Sequence, residues 1–240
     1  MRGIVETLHD RFVFDRRVRV LAGHLSALIP ERARVLDVGC GDGAVDALIV
    51  RRRPDIFIQG IDVLLRPGSE IPVERFDGVK IPYGDGSFDL VMFVDVLHHT
   101  RNPRALLREA KRVGSVVLVK DHFKSGLWGG AVLRFMDWVG NAHHGVALPY
   151  NYWSKPQWLA ALADVGLQPA ELRCSLGLYP PPASWIFERE LHFVGRFNQA
   201  EKDGRDPPSS LRHSEDTQEE TREDDLESER HTDKSKNHSA

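Results

Sequence analysis

Val35-Leu36-Asp37-Val38-Gly39-Cys40-Gly41-Asp42-Gly43-Ala44 is the stretch on which the fold turns. A short apolar run ends in glycines at every second position, and a helix-compatible segment from Ala44 to Arg52 follows at once. Glycine lets the chain turn sharply out of a strand and lets a ligand approach the backbone without a Cβ in the way. A strand, a glycine turn and a helix in that order place a ligand over the turn.

Gly39, Gly41 and Ala44 also match the spacing of the dinucleotide fingerprint, so the glycines alone do not separate a nicotinamide cofactor from S-adenosylmethionine. The carboxylates around them do better. Asp62 ends the next apolar run, Ile56 to Ile61, about 20 residues further on, where it can accept hydrogen bonds from a ribose of either cofactor. Asp37 and Asp42 flank the loop with negative charge that repels a pyrophosphate and suits a ligand carrying a sulfonium and an ammonium.

Outward from this unit the signals keep alternating. Ile4 to Ile29 carries apolar residues at helical spacing and is stopped by Pro30, so one or two helices precede the sheet. Phe88 to Val96 reads as a strand introduced by Asp85-Gly86-Ser87, and Asn102-Pro103 as the N-cap and first turn of a helix to about Val113. Val116 to Lys120 is strand again. Ser154 and Gln157 make a capping box for a helix that Gly166 can end. Leu172 to Leu178 and Trp185 to Val194 are the closing strand candidates. The expected fold is α/β: a Rossmann-like, doubly wound, mostly parallel sheet with helices on both faces and an antiparallel hairpin at its edge.

The tandem order of VLDVGCGDG, the Gly60-Ile61-Asp62 triplet, the block from Asp77 to His99 and the REAKRV that follows resembles the class I methyltransferases of the small-molecule, type 11 kind, over roughly Arg32 to Val119. The resemblance implies S-adenosylmethionine as cofactor, with the Gly39–Gly43 loop around its methionine part and Asp62 on the ribose. It further implies Asp77 and Gly78 at the adenine, and Val94 and Asp95 facing the methionine end. The implied cofactor set is Asp37, Gly39, Cys40, Gly41, Asp42, Gly43, Asp62, Val63, Asp77, Gly78, Val94 and Asp95. Asp37 also reads as a carboxylate satisfied by nearby backbone donors, and Asp77 as a turn aspartate. Val113 runs straight into Gly114-Ser115 without the leucine, proline and double-glycine turn usual in the family, which shortens the approach to the fifth strand.

Methyl transfer depends largely on alignment, because the cofactor is already a strong electrophile; a general base is optional. His98, His99 and His122 fall at strand ends on the carboxyl edge and are the catalytic candidates, with His99 or His122 expected at the acceptor. His98 and His99 also read as packing residues at the start of the following helix. Residues 123–153 are rich in aromatics, among them Trp128, Phe135, Trp138, Tyr150, Tyr152 and Trp153, and read as a lid over a small apolar or aromatic acceptor or as an ordinary packed helix. Membrane-surface contact through this segment finds only Arg134 and Lys124 in its favour. His143-His144 lacks a carboxylate or thiol at ligand spacing, so no metal is expected.

At 240 residues, with a net charge of -3, the chain suits one domain and lacks the basic excess that nucleic acid demands. Residues 1–200 are expected to form the methyltransferase domain. Residues 201–240 lack aromatics and have few apolar residues, which reads as a disordered acidic tail. Two distant cysteines, and no signal or apolar stretch of roughly 18 residues, point to a cytoplasmic protein. Two rivals remain open from the residues: an adenosylmethionine-binding protein without transfer activity, and a nicotinamide-dependent oxidoreductase, which lacks a Tyr-x-x-x-Lys relay here.

Overall fold

The computed structural model describes residues 16–126, 130–131, 133–134, 151–188 and 191–200. Its strands are β1 (Arg34–Val38), β2 (Phe57–Asp62), β3 (Val73–Arg75), β4 (Phe88–Val94), β5 (Gly114–His122), β6 (Leu167–Arg173) and β7 (His192–Gln199). Helices are α1 (residues 16–26), α2 (Ala44–Arg52), α3 (Pro103–Val113), α4 (Lys155–Asp164) and the single turn α5 (Ser184–Phe187). The strands lie in the order β3-β2-β1-β4-β5-β7-β6. The first five are parallel, and β7 enters antiparallel between β5 and β6. This is the doubly wound sheet with an antiparallel edge pair that the alternating signals implied.

Burial on both faces explains the near-continuous apolar runs of the central strands. Along β4, Val91 and Phe93 join Val38, Val119, Trp158 and Phe193 in one core layer beneath α3 and α4. The alternate residues Leu90 and Met92 pack with Leu21, Leu25, Ile49 and Leu118 under α1 and α2. Successive side chains on a strand point to opposite faces, so one seven-residue run feeds both layers.

Local signals set the helix ends. Asn102 Oδ1 accepts from the Ala105 amide at 3.1 Å ahead of Pro103, and Ser154 with Gln157 forms the expected capping box. α3 passes into β5 with no intervening loop, since Gly114 is both its C-cap and the first strand residue. The REAKRV segment ties α3 to the chain ahead of β4. The Arg112 guanidinium bonds the Ile81 and Tyr83 carbonyls, while Glu109 accepts from the Ile81 amide at 3.0 Å.

Two expectations are corrected at the closing edge. The strand expected over Leu172 to Leu178 starts at Leu167 and ends at Arg173; its residues are mostly exposed and include Pro169, so an outer strand left no apolar period to read. The strand expected from Trp185 starts at His192, because Ser184–Phe187 forms a helical turn with Trp185 and Ile186 facing solvent. β3, three residues long, had no sequence signal. Much of the aromatic segment, including Trp128, Phe135, Trp138, His143, His144 and Tyr150, lies outside the described residues, as do residues 1–15 and 201–240.

Candidate active site

The carboxyl ends of β1, β2, β4 and β5 share one edge of the sheet, and antiparallel β7 brings its first residue there too, His192 opposite His122. At β1 the chain leaves the sheet through Gly39, Gly41 and Gly43, all at positive φ. At Gly39, with φ 81°, a Cβ would sit 2.5 Å from Val96 Cγ2, and at Gly43 one would sit 2.6 Å from Ile71 Cγ1. Any side chain would therefore push apart the loop and the segments that cradle it.

Asp62 organises the floor of this cradle. One carboxylate oxygen accepts from the Gly41 amide and the other from the Leu64 amide, both at 2.9 Å. Asp42 accepts from the Ala44 amide at the start of α2. Val63 packs against Gly78, which brings the segment after β2 to the Asp77 turn. Asp77 Oδ1 accepts from the Val79 and Lys80 amides, and these bonds hold its carboxyl below the usual range. Asp77 is thus a turn aspartate, its second oxygen outside the turn bonds. The Cys40 thiol sits beside Gly60 and is kept protonated by burial and by Asp37, Asp46 and Asp62.

Asp37 points into the protein, where it meets a residue that the sequence did not single out. It adjoins Asp46 of α2, and among the described residues no other side chain bonds Asp37 Oδ1 or either Asp46 oxygen. Burial, then repulsion from Asp46 and Asp62, raises Asp37 well above the ordinary carboxylate range. Burial raises Asp46 to about 7, against the lowering effect of its bond with Asp37. Burial thus pushes both carboxyls of the pair toward their protonated forms beneath the loop.

A second cluster occupies the edge between β4, β5 and β7. Asp95, at an unusual positive φ of 58°, accepts from the buried Lys120 ammonium and from Arg17 of α1 at 3.0 Å. Burial would raise this carboxyl, but Lys120, His122 and Arg17 hold it well below its usual range. Asp121 accepts from His98 Nδ1 at 2.6 Å and from the His122 amide at 2.8 Å, with His122 Nδ1 at 3.3 Å. Burial, and then Lys120, lowers the His122 imidazole, so it is neutral at neutral pH. Its Nδ1 faces the carboxylates, which leaves Nε2 as the nitrogen with a lone pair to offer. His99 is half-buried with its ring centroid 3.9 Å from that of His98, and Tyr152 stacks on His98 at 5.5 Å. His98, Asp121 and His122 also form a donor set with ligand atoms within 4.8 Å of one another, here hydrogen-bonded among themselves.

Residues 8–172 match the family described as a methyltransferase domain. The chain belongs to the class I S-adenosylmethionine-dependent methyltransferases. Trans-aconitate 2-methyltransferase of Deinococcus radiodurans is 38% identical over 186 residues, spanning 70% of this chain and 72% of that protein. The 27-O-demethylrifamycin SV methyltransferase of Amycolatopsis mediterranei is 32% identical over 134 residues, 45% of this chain; the chain spans about half of that relative's length (47%). Among solved structures, Burkholderia thailandensis 1,6-didemethyltoxoflavin-N1-methyltransferase, with 1,6-didemethyltoxoflavin and S-adenosylhomocysteine bound, superposes with a TM-score of 0.57. It is 16% identical, over 83% of this chain and 86% of that one, and shows likeness of fold.

In this methyltransferase the residues expected at the cofactor come together: Asp37, Gly39 to Gly43, Asp62, Val63, Asp77 and Gly78 lie around the ends of β1 and β2, and Val94 and Asp95 end β4 beside them. Asp95 differs from expectation in that Lys120 and Arg17 engage its carboxylate. Asp46, Val96, Lys120 and His192 carried no readable signal. Lys120 ends an apolar run and His192 lies between Leu191 and Phe193, and adjacency across strands is invisible in a linear pattern.

Proposed function

We propose that this methyltransferase holds S-adenosylmethionine over the Gly39–Gly43 loop and methylates a small organic acceptor of apolar or aromatic character, seated at the carboxyl edge between β4, β5 and β7. The observation that carries this reading is the juxtaposition of the loop with a neutral, carboxylate-oriented His122 on the same sheet edge. Both named relatives take their names from small molecules.

The residues fit the cofactor. The buried Asp37 and Asp46 carboxyls lie under the loop, where a cationic ligand favours their ionised forms. Gly39 has no room for a Cβ, and Asp62 has lone pairs left for ribose hydroxyls after its two backbone bonds. When bound, S-adenosylmethionine supplies an electrophilic methyl group. His122 Nε2 accepts a proton from the acceptor, and Asp121, at Nδ1, fixes the tautomer and stabilises the imidazolium that forms, a pairing that contributes about 10²- to 10⁴-fold where it operates. His98 shares Asp121 and braces it from the other side.

Residues 1–200 act as the catalytic unit in this reading, since β7 completes the sheet at Gln199, and residues 201–240 are an appended acidic tail. No described helix is long and apolar enough to cross a membrane, and the two free cysteines suit a reducing, cytoplasmic compartment. Incubation of the full chain with methyl-labelled S-adenosylmethionine and a metabolite extract tests the function. Label is expected in one or a few small organic products; transfer no greater than in the chain-free control contradicts it.

A further inference from the structure

His192 is the first residue of β7 and pairs across the strands with His122, their ring centroids 4.8 Å apart. It is 1% exposed, and among the described residues neither ring nitrogen has a hydrogen-bond partner. Buried polar groups are almost always paired, and an imidazole carries one donor and one acceptor even when neutral. At the ligand edge of the sheet, the unmet donor and acceptor of this ring can be satisfied by a polar group of a bound molecule.

The neighbours define what that ligand carries. Among the described residues of this cluster both carboxylates are engaged, Asp95 by Lys120 and Arg17, Asp121 by His98 and His122. Both thus already face cations or imidazoles, and the Lys120 and Arg17 cations oppose an ammonium group. Burial, with Lys120 and His122 nearby, keeps the His192 ring uncharged. Two neutral imidazoles side by side provide one acceptor for a hydroxyl proton and one donor for its oxygen. Tyr179, its ring 5.8 Å from His192, and Tyr152, 6.3 Å from His122, offer flat apolar surface beside them.

We infer that His192 and His122 together bind the hydroxyl of an aromatic acceptor, so that the atom presented for methylation is a phenol-type oxygen. This rests on the methyltransferase reading above and adds the acceptor class and a second contact residue. His192 donates to the acceptor oxygen while His122 Nε2 takes its proton, and the resulting imidazolium is balanced by Asp121.

The test uses the full chain, labelled with ¹⁵N-histidine and saturated with S-adenosylhomocysteine, with phenol as probe and toluene, of similar shape without the hydroxyl, as control. Phenol is expected to move the ring-nitrogen signals of His192 and His122, and toluene to leave them in place. His192→Phe is expected to keep S-adenosylhomocysteine affinity and thermal midpoint while weakening phenol binding by about tenfold or more, and His192→Gln, which keeps a donor and an acceptor, to restore part of it. Equal responses to phenol and toluene, an unmoved His192, or a His192→Phe chain that binds phenol as before overturns the inference; a thermal midpoint that falls in both variants with phenol binding intact also overturns it by assigning the ring a packing role. Failure of S-adenosylhomocysteine to bind counts instead against the methyltransferase reading, and the phenol comparison is then read on the cofactor-free chain.

Discussion

Gly39→Ala perturbs the junction where the sheet, the loop and the β4 edge meet. Two costs follow from the structure. With φ at 81° an alanine is forced into the left-handed region, which costs about 1–2 kcal/mol. Its Cβ also meets Val96 Cγ2 at 2.5 Å and Cγ1 at 3.0 Å, and overpacking of this kind costs about 1–3 kcal/mol. Together the variant loses about 2–5 kcal/mol, a large part of the about 5–15 kcal/mol that separates folded from unfolded states. Urea unfolding of the parent, of Gly39→Ala, of Val96→Ala and of the double variant separates the two terms, because Val96→Ala removes both methyl groups in the clash. The cycle is expected to return about 1–3 kcal/mol of favourable coupling, leaving only the backbone cost. A Gly39→Ala chain within about 0.5 kcal/mol of the parent, or a cycle with no coupling, would refute the close approach of loop and β4 edge.

Two further outcomes follow from the buried ionisable groups. The folded-state value of about 7 for Asp46 lies above its ordinary 3.8, so the folded chain keeps a proton that the unfolded chain has shed. That contribution is full below 3.8 and is lost as pH rises through about 7, so Asp46→Asn should raise the cofactor-free unfolding midpoint at about pH 9 and not at about pH 4; equal shifts at both values contradict the raised Asp46 carboxyl. His122→Gln should lower turnover by about 10²- to 10⁴-fold with S-adenosylhomocysteine affinity unchanged. In the parent, turnover should fall on the acid side only below the ordinary histidine value of 6.5, because burial and Lys120 hold His122 neutral above it; an acid limb centred above 6.5 argues against His122 as base.

What could be read from the sequence was local. Glycines at alternate positions after Val35 to Val38 specify a strand, a tight turn and a helix within one short segment, and Ala44–Arg52 forms the helix as expected. Asn102, Ser154 and Gln157 act as caps through bonds that span three residues, so their signals survive in linear order. The closing edge was less legible because Leu167–Arg173 is mostly exposed and Ser184–Phe187, though apolar, turns rather than extends. At the site, Asp62 was legible from its place after a strand. Asp46 read as an ordinary helix residue, Lys120 as the end of an apolar run, and His192 as part of a misplaced strand. Their roles arise only when β1 meets α2, β4 meets β5, and β5 meets β7.

The acidic cradle around the glycine loop is expected to receive a cationic sulfur compound and not a pyrophosphate. Isothermal titration of the full chain and of Asp62→Ala with S-adenosylmethionine and with NADH separates the two ligands. Binding of S-adenosylmethionine alone is predicted, weakened in Asp62→Ala by about 1.5–3 kcal/mol, the scale of hydrogen bonds to a charged group. NADH bound in preference, or S-adenosylmethionine bound equally well by both chains, would contradict it.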